Sequence, residues 1–116
     1  MIVNSDSPSE WMDSGPGAKR RILCQNKDLM MVEFRFEKGG EGLHHNHPHF
    51  QTTYVTEGKF EFTIDGVTKV LGPGDATTMP SNAYHSCVCL EAGTLVDSFT
   101  PRRDDFMDAH LSLIHI

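Results

Sequence analysis

The strongest constraint on this chain is a run of histidines. Four of its seven fall within six residues, at His44, His45, His47 and His49. Two residues one apart in an extended segment point to the same face, so His45 and His47 can aim both imidazoles at one point, as a metal requires. Gln51 opens the β-rich run Gln51-Thr52-Thr53-Tyr54-Val55-Thr56 and offers a neutral oxygen from that strand. A second segment, Gly74 through Pro80 to His85, leads into another β-run, His85-Ser86-Cys87-Val88-Cys89-Leu90. Two separated segments thus supply His45, His47, Gln51 and His85 as candidate metal ligands.

The rest of the chain reads as short strands joined by tight turns. Lys19 to Cys24 is β-like, and Asn26-Lys27-Asp28 is a turn. From Leu29 to Phe36 the pattern alternates, with Met30, Val32, Phe34 and Phe36 on one face and Met31, Glu33 and Arg35 on the other, the mark of a strand with one buried face. Gln51–Thr56, a Glu57-Gly58 turn and Lys59–Ile64 form a predicted hairpin. Asp65-Gly66 is the strongest two-residue turn signal and leads into Val67–Leu71. Ala76–Met79, Tyr84–Leu90, a turn at Glu91-Ala92-Gly93 and Thr94–Thr100 bring the total to about nine predicted strands. Such a meander predicts an all-β fold, a small antiparallel barrel or jelly roll.

Length and charge narrow the reading. With 116 residues, 38% hydrophobic and 22% charged, the chain is expected to form one soluble domain around a single core. We divide it into an N-terminal arm (1–18), a barrel (19–101) and a C-terminal segment (102–116). Pro8, Gly15, Pro16 and Gly17 break regular structure in the arm, where Trp11 is expected to pack against the barrel. In the C-terminal segment Phe106, Ala109, Leu113 and Ile114 recur at helical spacing and predict a short helix. The apolar ending Leu111-Ser112-Leu113-Ile114-His115-Ile116 suits packing on the barrel or on a second subunit. The net charge of −6 argues against nucleic acid. No apolar run approaches a membrane span, and the first residues lack a signal pattern. Three cysteines, with Cys87 and Cys89 two apart on one strand, suit reduced thiols and a cytoplasmic protein.

The spacings of the two histidine segments resemble the paired motifs of the cupin superfamily. Gly39, His45, His47, Gln51 and Gly58 fill the first motif, with Gln51 where the family usually has Glu. Gly74, Pro80 and His85 fill the second, with Asn82 in place of glycine and Cys89 in place of asparagine. The resemblance implies a single-domain cupin barrel.

Imidazole suits zinc, nickel, iron, copper or manganese. A neutral amide at Gln51 leaves the metal's positive charge uncompensated, which favours an anionic ligand and Lewis-acid work over redox cycling. His44 is out of phase with His45 and His47 and should face solvent. His49 shares their parity but follows Pro48; it either lines the pocket mouth or replaces Gln51 as a ligand. Cys87 and Cys89 share a face with His85 and read as apolar filler inside the barrel. Near the end, Asp97 and Phe99 share one strand face and Arg103 follows. A pocket carboxylate beside a metal can be a general acid or base, and an arginine can clamp a carboxylate; on residue types alone these are equally ordinary salt-bridging groups.

The set His45, His47, Gln51 and His85, with Asp97-x-Phe99-x-x-x-Arg103, is similar to the KdgF family of pectin-degradation cupins. The likeness runs from about Lys19 to Met107, through Leu29–Lys38 and Phe99-Thr100-Pro101-Arg102-Arg103-Asp104-Asp105-Phe106. It implies a divalent transition metal (zinc, nickel, iron or manganese) held by three histidines and a glutamine. It also implies opening of 4,5-unsaturated uronates, the products of pectate or alginate lyases, into linear keto sugars. In that reading Asp97 is the acid/base, Arg103 grips the acidic sugar and Phe99 shapes the pocket. By analogy with small cupins the expected assembly is a homodimer. Two rival readings remain: a cupin dioxygenase, which Gln51 disfavours, and a sugar-binding cupin without turnover, which has no need of Asp97.

Overall fold

Among the described residues, 2–3 and 9–107 of a computed structural model, eight strands follow one another: β1 (Met12–Asp13), β2 (Ala18–Gln25), β3 (Met30–Phe36), β4 (Glu41–His45), β5 (Phe50–Ile64), β6 (Val67–Leu71), β7 (Ala76–Met79) and β8 (His85–Thr100). All pairings are antiparallel, as the run of short strands and tight turns predicts. The β3 alternation is realised: Met30, Val32 and Phe36 are buried, while Met31 and Arg35 are exposed. At Asp65-Gly66 both residues take positive φ, 47° and 82°, the geometry of a type I′ hairpin turn. Asn26 closes the β2–β3 turn by accepting the Asp28 and Leu29 amides on its Oδ1.

Two predicted hairpins are absent, and their absence defines the architecture. Glu57-Gly58 and Glu91-Ala92-Gly93 are not turns; β5 and β8 run unbroken through them as strands of 15 and 16 residues. The two strands pair along their length, from Phe50↔Thr100 to Ile64↔His85, with register shifts between Val55 and Phe60. The first half of β5 also pairs β7 and the second half pairs β6. The second half of β8 pairs β3, and its first half pairs β4. The long pair therefore bends from one face of the barrel to the other. Gly58 and Gly93 sit at that bend because the backbones nearly touch: a Cβ on Gly93 would lie 2.2 Å from the Glu57 carbonyl oxygen, and one on Gly58 2.5 Å from that of Glu91.

Inside, Phe36, Val55, Phe60, Phe62, Met79, Cys87, Cys89 and Leu95 form one apolar cluster, and Met30, Val32 and Phe99 a second. Cys87 and Cys89 are buried fillers, as expected, and burial pushes the Cys87 thiol up to about 12. Trp11 packs on the outer face, with the cations of Lys19, Arg21 and Arg35 at 5.1, 4.6 and 4.7 Å from its ring centre. Residues 104–107 form one helical turn. Its Phe106 packs edge-on against Phe99, ring centres 5.8 Å apart. Ala109, Leu113, Ile114 and the apolar ending lie outside the described residues. No helix among the described residues is long and apolar enough to cross a membrane.

Candidate metal centre

The two histidine segments meet because β4 and β8 pair with His45 opposite His85, while His47 follows β4 in the connection to β5. Hydrogen bonds to main-chain carbonyls lock the segments together: Asn82 N–H donates to the His47 carbonyl at 2.8 Å, and Ser81 Oγ to that of Pro48 at 2.7 Å. Asn82 does so at φ 64°, which explains why asparagine, the side chain most tolerant of the left-handed region, stands where the cupin motif has glycine.

The result is a group of three imidazoles, His45, His47 and His85, with one ligand nitrogen from each within 4.8 Å of the others. Each ring donates its Nδ1–H to a main-chain carbonyl: His45 to Leu43 at 2.5 Å, His47 to His49 at 3.1 Å and His85 to Ala83 at 3.0 Å. That fixes the tautomer and leaves every Nε2 as a bare lone pair, the arrangement metal-binding histidines adopt. Burial lowers the proton affinity of His47 and takes His85 down to about 4, so both are neutral near pH 7.

Gln51, at the start of β5, lies beside this group. Its amide nitrogen donates to Thr53 Oγ1 at 3.1 Å, and that hydroxyl donates to Asp97 Oδ1 at 2.5 Å. The amide is thereby oriented, and its oxygen lies 2.9 Å from His47 Nε2. Two lone pairs then face each other, a mismatch that a cation between them resolves. The donor set fits a divalent metal held by His45, His47, His85 and Gln51. His44 is exposed and stacks on Tyr84 at 5.1 Å. His49 lies outside the group of three; its ring stands against His47 and Phe99, 5.4 and 6.5 Å away, and its buried Nδ1 has no partner among the described residues. Replacing His85 by Ala is expected to weaken zinc or nickel binding by more than the roughly 10–100-fold that loss of an outer partner costs. A chelator-competition titration measures it.

A cavity of about 250 Å³ opens beside this group, lined by His45, Gln51, His85, Asp97, Phe99 and Arg103. Asp97 is buried, which drives its carboxyl up to about 7 against the opposing hydrogen bonds from Thr53 and Gln51 and the charge of Arg103. Arg103 Cζ lies 5.2 Å from the Phe99 ring centre and 4.2 Å from that of Phe106. Asp97, Phe99 and Arg103 thus gather at one cavity with His45 and His85 of the three-histidine group.

Residues 32–96, more than half of the chain, match the cupin domain family. Over 104 residues the chain is 42% identical to the pectin degradation protein KdgF of Dickeya dadantii (strain 3937), spanning 88% of this chain and 94% of that protein. The chain is a KdgF-family cupin. Its fold superimposes on the structure of KdgF from Halomonas sp. with a TM-score of 0.85 at 38% identity, covering 91% of this chain and 99% of that one. A RmlC-like cupin from Shewanella frigidimarina NCIMB 400 gives 0.85 at 43% identity, covering 90% and 94%. Two residues at this site escaped the sequence reading, one behind the cavity and one on its wall. Thr53 reads only as a strand former, yet it couples Gln51 to Asp97. Arg20 reads as one of three adjacent cations, yet it lines the cavity.

Proposed function

We propose that this KdgF-family chain converts 4,5-unsaturated uronates, the products of pectin or alginate lyases, into linear keto sugars. The observation that carries the reading is Asp97: a buried carboxyl poised near neutrality, on the same cavity as the three-histidine group and an arginine. A general acid/base works best when its own pKa lies near the operating pH.

The substrate is a cyclic enol ether whose double bond is conjugated with its carboxylate. Asp97 takes the proton of the anomeric hydroxyl. As the anomeric carbonyl forms, the bond from that carbon to the ring oxygen breaks, and the ring oxygen leaves as the enolate. Asp97 then returns the proton to C4, leaving a ketone at C5, so the change is an isomerisation with no net gain or loss of atoms. A bound divalent transition metal (zinc, nickel, iron or manganese) would supply Lewis-acid charge for the developing oxyanion. Thr53 and Gln51 hold Asp97 in place by hydrogen bonds, Arg103 holds the acidic sugar, and Phe99 forms the wall beneath it. Supporting observations extend the proposal to a homodimer in the cytoplasm: Leu29, Phe50 and Tyr54 are at least half exposed, and all three cysteines are free thiols.

The test is to give the zinc-loaded protein freshly lyase-generated unsaturated galacturonate and follow the ultraviolet absorbance of the conjugated double bond. Loss faster than the unaided opening, abolished by a chelator and restored by metal, is the expected result. A metal-loaded protein that accelerates no unsaturated uronate would reject the proposal. Oxygen uptake would indicate a dioxygenase instead, and sugar binding without turnover a binding protein.

A further inference from the structure

Arg20, on β2, lines the same cavity as Asp97 and Arg103. Its guanidinium lies over the Phe106 ring, 4.0 Å from the centre. One terminal nitrogen, Nη1, is used: it donates to Ser14 Oγ at 3.2 Å and reaches the Asp13 carbonyl at 3.5 Å. Among the described residues no carboxylate pairs with it, so Nε and Nη2 are open. Arg103 is in the opposite condition. Its Nε and Nη2 form a two-pronged pair with Asp105, at 2.9 and 2.8 Å, and its side chain is only 11% exposed. The arginine with an open fork is therefore Arg20.

A half-buried cation with no carboxylate in direct contact gains from an anion that joins it. Burial and the like charge of Arg103 work against the Arg20 charge, and the nearby Asp105 carboxylate offsets them only in part. Both guanidinium groups stack on the Phe106 ring, 4.0 and 4.2 Å from its centre, and both residues line the cavity that holds Asp97. We infer that Arg20 binds the carboxylate of the acidic sugar through its open fork, leaving Arg103, whose own fork Asp105 occupies, to hold the sugar through its remaining nitrogen. The inference rests on the proposed uronate chemistry and assigns the carboxylate's partner within it.

Galacturonate and its uncharged methyl ester serve as probes, because neither has the reactive double bond and both bind without turnover. Calorimetry with the zinc-loaded protein should find galacturonate bound about 10- to 100-fold more tightly than the ester, the range of a hydrogen bond to a charged group. Arg20→Gln should remove most of that preference while leaving ester affinity and metal content unchanged. Arg20→Lys, which keeps the charge but not the fork, should fall between. With unsaturated galacturonate the same Gln variant should raise KM far more than it lowers kcat. Retention of the full preference in Arg20→Gln, or no preference in the wild type, overturns the assignment. If the preference collapses as expected but the wild type opens no unsaturated uronate, the anion site stands and the ring-opening proposal falls.

Discussion

Asp97→Asn is expected to lower the ring-opening rate by about 10²–10⁴-fold, the usual worth of a positioned acid/base, with sugar affinity and metal content near wild type. The amide is nearly isosteric and can still accept the Thr53 hydroxyl, so packing and the orientation of Gln51 persist. What it lacks is a transferable proton. Full activity in this variant would remove Asp97 from the mechanism. The same substitution has a second expected effect, on the metal-free protein. Burial lifts the Asp97 carboxyl from an ordinary 3.8 to about 7, so the folded state holds this proton more tightly than the unfolded one. The stability this gives is fully present below about pH 4 and is lost as pH rises through 7. An asparagine is indifferent to that change. The variant should therefore gain on the wild type with rising pH, by up to about 4 kcal/mol above pH 7 at roughly 1.4 kcal/mol per unit. Urea unfolding of both metal-free proteins near pH 4.5, 6 and 8 measures this, and a difference that does not change with pH would contradict it.

Gly93→Ala is expected to destabilise the barrel by more than about 3 kcal/mol, because overpacking against immovable backbone lies at the severe end of single substitutions. The new methyl would meet the Glu57 carbonyl oxygen at 2.2 Å, and the Glu57 carbonyl carbon and Gly58 Cα at 2.8 Å each. None of these is a side chain that can rotate away. The thermal midpoint should fall by more than about 10 °C. Metal affinity should fall too, since β5 carries Gln51 and β8 carries His85. Gly66→Ala is the control: its φ of +82° is strained for alanine, but nothing lies within 4 Å of the new methyl. It should cost on the order of 1 kcal/mol. Equal, small losses in both variants would mean that the bend at Gly58 and Gly93 tolerates separation.

Those glycines also mark where sequence reasoning reached its limit. Gly58, Gly66 and Gly74 all take positive φ, and a local reading treats each as a turn. Gly66 and Gly74 are in turns. Gly58, however, faces another glycine across a strand pair, and only the distant partner reveals it. By contrast, alternation in β3, the Asp65-Gly66 turn and the shared parity of His45 and His47 depend on neighbours in sequence, and those were legible. So was the meeting of His45, His47 and His85, because imidazoles at matched spacings leave few other uses. Thr53 and Arg20 were opaque for the opposite reason. A threonine in a strand and an arginine between Lys19 and Arg21 have ordinary surface explanations, and it is burial against Asp97 and Phe106 that gives them work.

The tautomers of the three imidazoles are set by main-chain carbonyls, each two residues from its own ring, and by no side chain. Metal centres that rely on an outer carboxylate to orient a histidine can be lost by one substitution at that carboxylate. Here every residue has a carbonyl, so positions 43, 49 and 83 can drift in identity without changing which nitrogen faces the metal, provided the chain keeps its path. Mutational robustness of the centre is therefore a property of backbone trajectory, and a library randomised at Leu43, His49 and Ala83 should retain metal binding in most of its folded members.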